Sequence, residues 1–259
     1  MLKNNNLFLV ANWKMNGLKA DLSKYDKVFN YIYENRWGEK FVWCLPHTLI
    51  YCSYDKINQA GVASTVSLGG QDCHWLIQGS YTGDISAEML KDLGANYVIV
   101  GHCERRKYHF ETNEIVSRKA TAALEAGLSP IVCVGDSLSD RENRVAEAAV
   151  KEQLISSLPT DIENNHIIIA YEPLWSIGSG LIPSVEEIGS MHTLIRGVLL
   201  KNGINNFSIL YGGSVKSHNI EMVINAPNVD GVLLGGASLD LDELLDIMKK
   251  MLKNKKKCN

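Results

Sequence analysis

The chain lacks most of the features that would tie it to a membrane, a nucleic acid or a metal framework. No apolar stretch approaches the roughly 20 residues that a membrane-crossing helix needs, so a helical anchor is not expected in these 259 residues. There is no C-x-x-C pair and no histidine cluster at zinc spacing. The six cysteines (44, 52, 73, 103, 133 and 258) are scattered, which argues against a disulfide framework or a structural zinc and for a reducing compartment. Neither sign of charge dominates: 26 Lys and Arg stand against 29 Asp and Glu. That balance argues against an electrostatic nucleic-acid or membrane-surface role. No Pro/Gly-rich linker or composition break divides the chain. Met1 to Asn6 lead straight into a strand-like run, leaving no room for a targeting peptide. A cytoplasmic protein is expected.

Eight short β-rich runs are present, separated mostly by about 20–40 residues with helical periodicity. They are Leu7–Ala11, Phe41–Leu45, Ala63–Leu68, Tyr97–Val100, Ile131–Val134, Ile167–Tyr171, Phe207–Tyr211 and Gly231–Leu234. Their interiors are nearly continuous Val, Ile and Leu, as expected of strands buried on both faces of a parallel sheet. Between them lie helix patterns such as Arg118 to Gly127, closed by glycine, and Arg141 to Leu158. Ser238-Leu239-Asp240 is expected to cap a final helix running through Leu252, and the lysine-rich tail, about 253–259, is expected to fray. Eight strand–helix units without a boundary predict an α/β fold, a single-domain (β/α)8 barrel over 1–259. An open doubly wound sheet is the rival. It would more often begin with a Gly-rich dinucleotide turn, and none follows the first run.

In such a barrel the reacting groups belong at the carboxyl ends of the strands, where this chain places its unusual residues. Asn12-Trp13-Lys14 follows the first run, Gly69-Gly70-Gln71-Asp72 the third, His102-Cys103-Glu104 the fourth and Glu172 the sixth. Lys14 alone could be a solvated loop lysine, but it sits one residue from Trp13, just past a buried strand. His102 alone could be a satisfied core histidine; its place at a helix start beside Glu104-Arg105 favours chemistry. Glu172, followed by Pro173 and a glycine-containing segment, reads as a base beneath a movable flap. Gly212-Gly213-Ser214 and Gly235-Gly236 could each be a tight connection. Paired on adjacent strands, each before a helix, they read as a phosphate cradle of backbone N–H groups. Gly178, within Trp175-Ser176-Ile177-Gly178-Ser179-Gly180, is expected to add another N–H.

Five motifs carry a resemblance over essentially the whole chain: Asn12-Trp13-Lys14, Gly101 to Arg106, Tyr171 to Gly180, Tyr211 to Val215 and Leu234 to Leu239. Together they resemble the triosephosphate isomerases. The resemblance implies interconversion of dihydroxyacetone phosphate and D-glyceraldehyde 3-phosphate without cofactor or metal. It implies that Glu172 moves a proton between adjacent carbons while neutral His102 polarises the carbonyl, roles for which this enzyme is a standard worked example. Lys14 would supply positive charge, Asn12 would orient the carbonyl side, and Glu104 would hold Lys14. The phosphate would rest on Gly178, Ser214, Gly235 and Gly236. A homodimer is also implied, in which Thr82, at the tip of the loop after strand three, approaches the partner.

Some positions depart from the family's pattern. Cys103 stands where a serine is usual, substituting a poorer hydrogen-bonder, so the resting base is expected to be held less firmly. Leu181-Ile182-Pro183 replaces a Lys-Thr-Ala hinge, and the fixed proline angle is expected to alter flap kinetics. Asp72 and Asp136 stand for an amide and a longer acid, with no loss of activity expected. Two other readings are open: another sugar-phosphate barrel isomerase, which does not require Lys14, His102 and Glu172 together, and a barrel kept only for binding, in which those three would be the first to decay.

Overall fold

In the computed structural model, which describes residues 7–159, 162, 165–176 and 181–258, eight parallel strands close on themselves. They are β1 (Phe8–Asn12), β2 (Lys40–Cys44), β3 (Val66–Gly70), β4 (Ala95–Val100), β5 (Ser129–Asp136), β6 (Ile167–Pro173), β7 (Phe207–Tyr211) and β8 (Gly231–Leu234). Each pairs with its sequence neighbours, and β8 pairs with β1. The open sheet is thereby excluded. The α-helices among the described residues are α1 (Asp26–Glu34), α2 (His47–Gln59), α3 (Ala87–Asp92), α4 (Cys103–Tyr108), α5 (Asn113–Glu125), α6 (Leu138–Glu142), α7 (Ala146–Ser157), α8 (Val185–Lys201), α9 (Ile220–Asn225) and α10 (Leu241–Cys258).

Both faces of the strands are apolar because each faces a different core. Phe8, Val10, Val42, Ile99, Ile131, Ile168, Ala170 and Leu233 fill the barrel's inside. Residues of opposite parity, Leu9, Ala11, Val98, Ile167 and Ile169, face the helices. This period of two decides the position of the polar residues. Continuing the inward set 168, 170 along β6 brings Glu172 to the barrel mouth, and continuing 8, 10 along β1 brings Asn12 there. Both are buried.

Most strand ends shift by one or two residues from the sequence reading, and a few boundaries differ by more. The third strand begins at Val66, not Ala63, and takes in Gly69 and Gly70; a Cβ on Gly69 would lie 2.6 Å from the Cys44 sulfur, so these glycines let neighbours close in on a strand. The single helix expected from Arg141 to Leu158 is two, α6 (Leu138–Glu142) and α7 (Ala146–Ser157). The break falls at Arg144, whose φ of +59° no helix accommodates. Asp140 caps α6's own first turn by accepting from the Ser137 N–H and hydroxyl. The final helix, α10 (Leu241–Cys258), is capped from the expected Ser238-Leu239-Asp240 segment by Asp240, whose side chain accepts the Glu243 N–H at 3.1 Å. Its backbone continues past Leu252 to Cys258.

Candidate active site

The mouth of the barrel gathers groups from strands far apart in sequence. Lys14 is placed by its neighbour: the buried Trp13 ring packs against Tyr25 and Trp43, and its indole N–H donates to the Tyr25 hydroxyl at 2.9 Å. Tyr25 in turn donates to the Ser238 carbonyl at 2.5 Å, tying the β1 loop to the β8 loop. Lys14 adopts φ +56°, a strained angle for a side-chain-bearing residue that persists only where surroundings over-determine it. Its N–H donates to the Asn12 side-chain oxygen at 3.0 Å, which fixes the Asn12 amide. Its ammonium sits 2.6 Å from Glu104 Oε1.

His102 ends the β4 loop and caps the short helix α4 (Cys103–Tyr108) with its own ring: Nδ1 accepts the Glu104 N–H at 3.2 Å. An accepting Nδ1 leaves the proton on Nε2. Glu104 Oε2 lies 3.5 Å from the same Nδ1 and would favour a proton there; the shorter N–H contact, fixed by the helix backbone, decides for the Nε2–H form. That Nε2–H points at Glu172 Oε1, 3.1 Å away.

Glu172 is held by two further donors. The Cys103 N–H reaches Oε2 at 3.0 Å, and the Cys103 thiol reaches Oε1 at 3.4 Å. Burial, and then the adjacent carboxylate, push the thiol well above its ordinary pKa, so it stays a donor. The weaker tether expected from replacing a hydroxyl is therefore supplemented by a main-chain amide, which no side-chain substitution removes.

Across the mouth lie the glycine turns. The Ser214 hydroxyl donates to the Ser176 carbonyl at 3.0 Å, joining the β7 turn to the segment after β6. Ser238 Oγ donates to the Gly235 carbonyl at 2.7 Å, shaping the β8 turn. A Cβ on Gly235 would stand 3.1 Å from the Lys14 side chain, so glycine there permits the lysine to lie across the turn. A cavity of about 220 Å³ is lined by Asn12, Lys14, His102, Glu172, Ser214, Gly235 and Gly236 among others. Of the expected residues, these seven share the cavity; Glu104 and Cys103 contact Lys14 and Glu172 from α4, Thr82 stands apart on the loop after β3, and Gly178 is not among them. That residue, with Ile177, Ser179 and Gly180, lies outside the described residues.

The same cavity is lined by Lys216 and Leu233, which sequence reasoning missed. Leu233 shares the inward parity of the barrel core, and Lys216 follows the Gly-Gly-Ser turn by two residues; either cue was readable. Also missed was the supporting ion cluster. Lys119 Nζ contacts Asp72 at 2.7 Å and Glu111 at 2.6 Å, and Arg105 contacts both acids at 2.8 and 2.6 Å. Burial, the largest influence, raises the Asp72 pKa against the pull of Lys119. The cluster pins α4 to the loop after β3. Asp136 is likewise satisfied, by Arg141 and the Tyr171 hydroxyl, each at 2.6 Å, and the Arg141 guanidinium lies 4.5 Å over the Trp175 ring.

Residues 7–251 match the family model described as triosephosphate isomerase. The chain belongs to the triosephosphate isomerase family. It is 41% identical over 244 residues to the triosephosphate isomerase of Hyphomonas neptunium, covering 93% of this chain and 96% of that one. It is 43% identical over 249 residues to that of Afipia carboxidovorans, covering 92% and 95%. The crystal structure of triosephosphate isomerase from Bartonella henselae superimposes with a TM-score of 0.86 at 35% identity, covering 95% of this chain and 99% of that one. The chain is an isomerase of this family, built on its barrel. No helix among the described residues is long and apolar enough to cross a membrane.

Proposed function

We propose that Glu172, His102, Lys14 and Asn12 carry out the family's reaction, the interconversion of dihydroxyacetone phosphate and D-glyceraldehyde 3-phosphate. The observation that carries this reading is the chain of contacts Lys14–Glu104–His102–Glu172 around one cavity. Glu172 takes the proton from one carbon of the triose and returns it to its neighbour. In the form described, its carboxylate is tied to Cys103 and His102, so the base must leave those donors to reach a substrate carbon. His102 Nε2–H, released from Glu172 by that movement, donates to the carbonyl oxygen and stabilises the enediolate as charge develops there. A neutral imidazole suits this step because it can both give and take back a proton between the two oxygens.

Lys14 brings positive charge to the same oxygen side, held by Glu104, and Asn12 orients the carbonyl. The phosphate rests on Ser214, Gly235 and Gly236, with Gly178 supplying a further N–H as the flap shuts. Closure removes water, strengthens each of these interactions and keeps the enediolate from losing phosphate. Nothing in the scheme calls for a cofactor. A coupled assay with glyceraldehyde 3-phosphate tests it: Glu172→Gln is expected to lose about 10²–10⁴-fold in kcat, the usual scale for removing a general base, with the fold unchanged. Activity equal to the wild type would overturn the assignment.

We also propose a homodimer, acting in the cytoplasm. Beside the site a second hollow, of about 560 Å³, is lined by Lys14, Met15, Gln71, Glu104 and Tyr108, and of these Met15 is 96% exposed and Tyr108 64%. Apolar exposure concentrated round a hollow is a mark of an interface. The loop after β3 carries a preformed protrusion of matching character, in which His74 is packed between Trp75 and Tyr81, and Thr82 stands exposed at its tip. Thr82→Arg is expected to shift sedimentation from dimer toward monomer and to lower activity together with it. An active, unshifted dimer would count against this arrangement.

A further inference from the structure

Among the described residues, one trio brings three kinds of metal-binding atom together. Ligand atoms of the Cys103 thiol, the His102 imidazole and the Glu172 carboxylate all lie within 4.8 Å of one another. We propose that this trio is a binding site for a thiophilic divalent cation such as Zn²⁺, and that the cation and the triose phosphate exclude one another. The site rests on geometry alone. The exclusion rests in addition on the catalytic reading of Glu172 and His102.

The edges of the trio suit a tetrahedral ion. His102 Nε2 is 3.1 Å from Glu172 Oε1, and Cys103 Sγ is 3.4 Å from that same oxygen. Zinc bonds of about 2.0–2.2 Å to nitrogen and oxygen and about 2.3 Å to sulfur give ligand–ligand edges of roughly 3.3–3.6 Å. Two edges therefore close with movements of a few tenths of an ångström. The third, sulfur to nitrogen, is bounded at 4.8 Å, with the sulfur 3.8 Å from Nδ1, so closing it requires the Cys103 side chain to turn toward Nε2. His102 and Glu172 also line the cavity, so the fourth vertex faces open space, where a water or a substrate oxygen can sit.

The imidazole must present a lone pair at Nε2, yet in the free chain that nitrogen carries the proton. The proton has a place to go. Glu104 Oε2 lies 3.5 Å from Nδ1, so a ring protonated at Nδ1 can donate to it, giving the carboxylate–histidine–metal arrangement that orients such ligands. Binding exchanges the Glu104 N–H contact for this one. The Cys103 thiol releases its proton to solvent as the sulfur–metal bond forms, and no electrons move. Thiolate and carboxylate then neutralise the ion's two charges. A hydroxyl at 103 would stay protonated and be a poor match for a soft cation, so the thiol is the deciding residue.

Co²⁺ provides the test, because a thiolate–cobalt bond gives a near-ultraviolet charge-transfer band. In a titration of the full chain, one equivalent is expected to produce the band, Zn²⁺ to abolish it, and isomerase activity to fall in step with it and return with a chelator. Cys103→Ser, or Cys103→Ala should serine misfold, is expected to weaken binding at least 100-fold, while Cys52→Ser retains it. Glu104→Gln is expected to weaken it about tenfold with the band still formed. Absence of the band in the wild type, or its persistence in Cys103→Ser, overturns the site. A Cys103-dependent band with full activity leaves the site standing and overturns the exclusion, and with it the roles given to Glu172 and His102.

Discussion

The carboxylate of Glu172 is bordered on one side by donors and on the other by a glycine, and both matter to a base that has to move. A Cβ on Gly212 would lie 3.1 Å from Glu172 Cγ and 3.2 Å from the Tyr171 carbonyl. Gly212→Ala therefore pushes the base sideways rather than opening the fold. Because misplacing a reacting group by about 1 Å can cost up to 10²-fold, kcat is expected to fall tenfold or more while the circular dichroism spectrum and melting temperature hardly change. A wild-type kcat in that variant would show that Glu172 has room the static arrangement does not reveal. The strained φ at Lys14 belongs to the same scale. The strain is held by Trp13, whose ring fills the space beneath, and a Cβ on Gly17 would strike that ring at 2.4 Å.

At the scale of elements, the site depends on how α4 is anchored. Its first turn supplies His102 as cap, Cys103 as tether and Glu104 as partner to Lys14, and six residues cannot hold themselves helical in isolation. The anchor is the cluster of Arg105, Lys119, Asp72 and Glu111, contributed by four separate segments. Lys119 and Glu111 are both buried. Removing one partner of a buried pair leaves an uncompensated charge, so Lys119→Met is expected to cost about 3–5 kcal/mol, read from urea unfolding midpoints. The pairing of Lys119→Met with Asp72→Asn should recover part of that loss. A double variant no better than the single would mean that the Asp72 charge is not what Lys119 offsets. Just before the break between α6 and α7, in the last turn of α6, Arg141 reaches Asp136 and Tyr171, and Asp136 is completely buried.

For the molecule as a whole, acid acts through its buried histidines. His192 is fully buried; burial, the largest cause, lowers its pKa from 6.5 to about 4 despite a contact at 3.2 Å with the Asn228 carbonyl. The folded value is depressed, so the folded chain resists a proton that the unfolded chain accepts. Above pH 6.5 both states are neutral and nothing is lost; as pH falls from about 6.5 through about 4, stability drops by up to about 3 kcal/mol from this group alone. His166, at the opposite end of the barrel from the cavity and stacked on Phe8, is depressed to about 4 for the same first cause and adds to the trend. His192→Phe is expected to flatten the fall in melting temperature between pH 7 and 5 relative to wild type. An unchanged slope would remove His192 as its source.

The barrel could be read from the chain because its cause is local and repeated: β-branched runs buried on both faces, spaced by helix-length segments, leave no solution but closure or an open sheet. The polar residues at strand ends were equally legible, since a buried strand cannot carry Glu172 or Asn12 anywhere except its mouth. Other features have no local signature. Whether His102 carries its proton on Nε2 depends on a backbone N–H fixed only once α4 forms. That Asp72, Glu111, Arg105 and Lys119 share one cluster requires segments up to 47 residues apart to meet. The break at Arg144 interrupts a continuous helical pattern with a left-handed backbone angle that the residue type does not announce. Spacing along the chain determined which groups could reach the mouth; contacts across it decided how each is held, which proton it carries, and that a thiol, an imidazole and a carboxylate stand within one ion's reach.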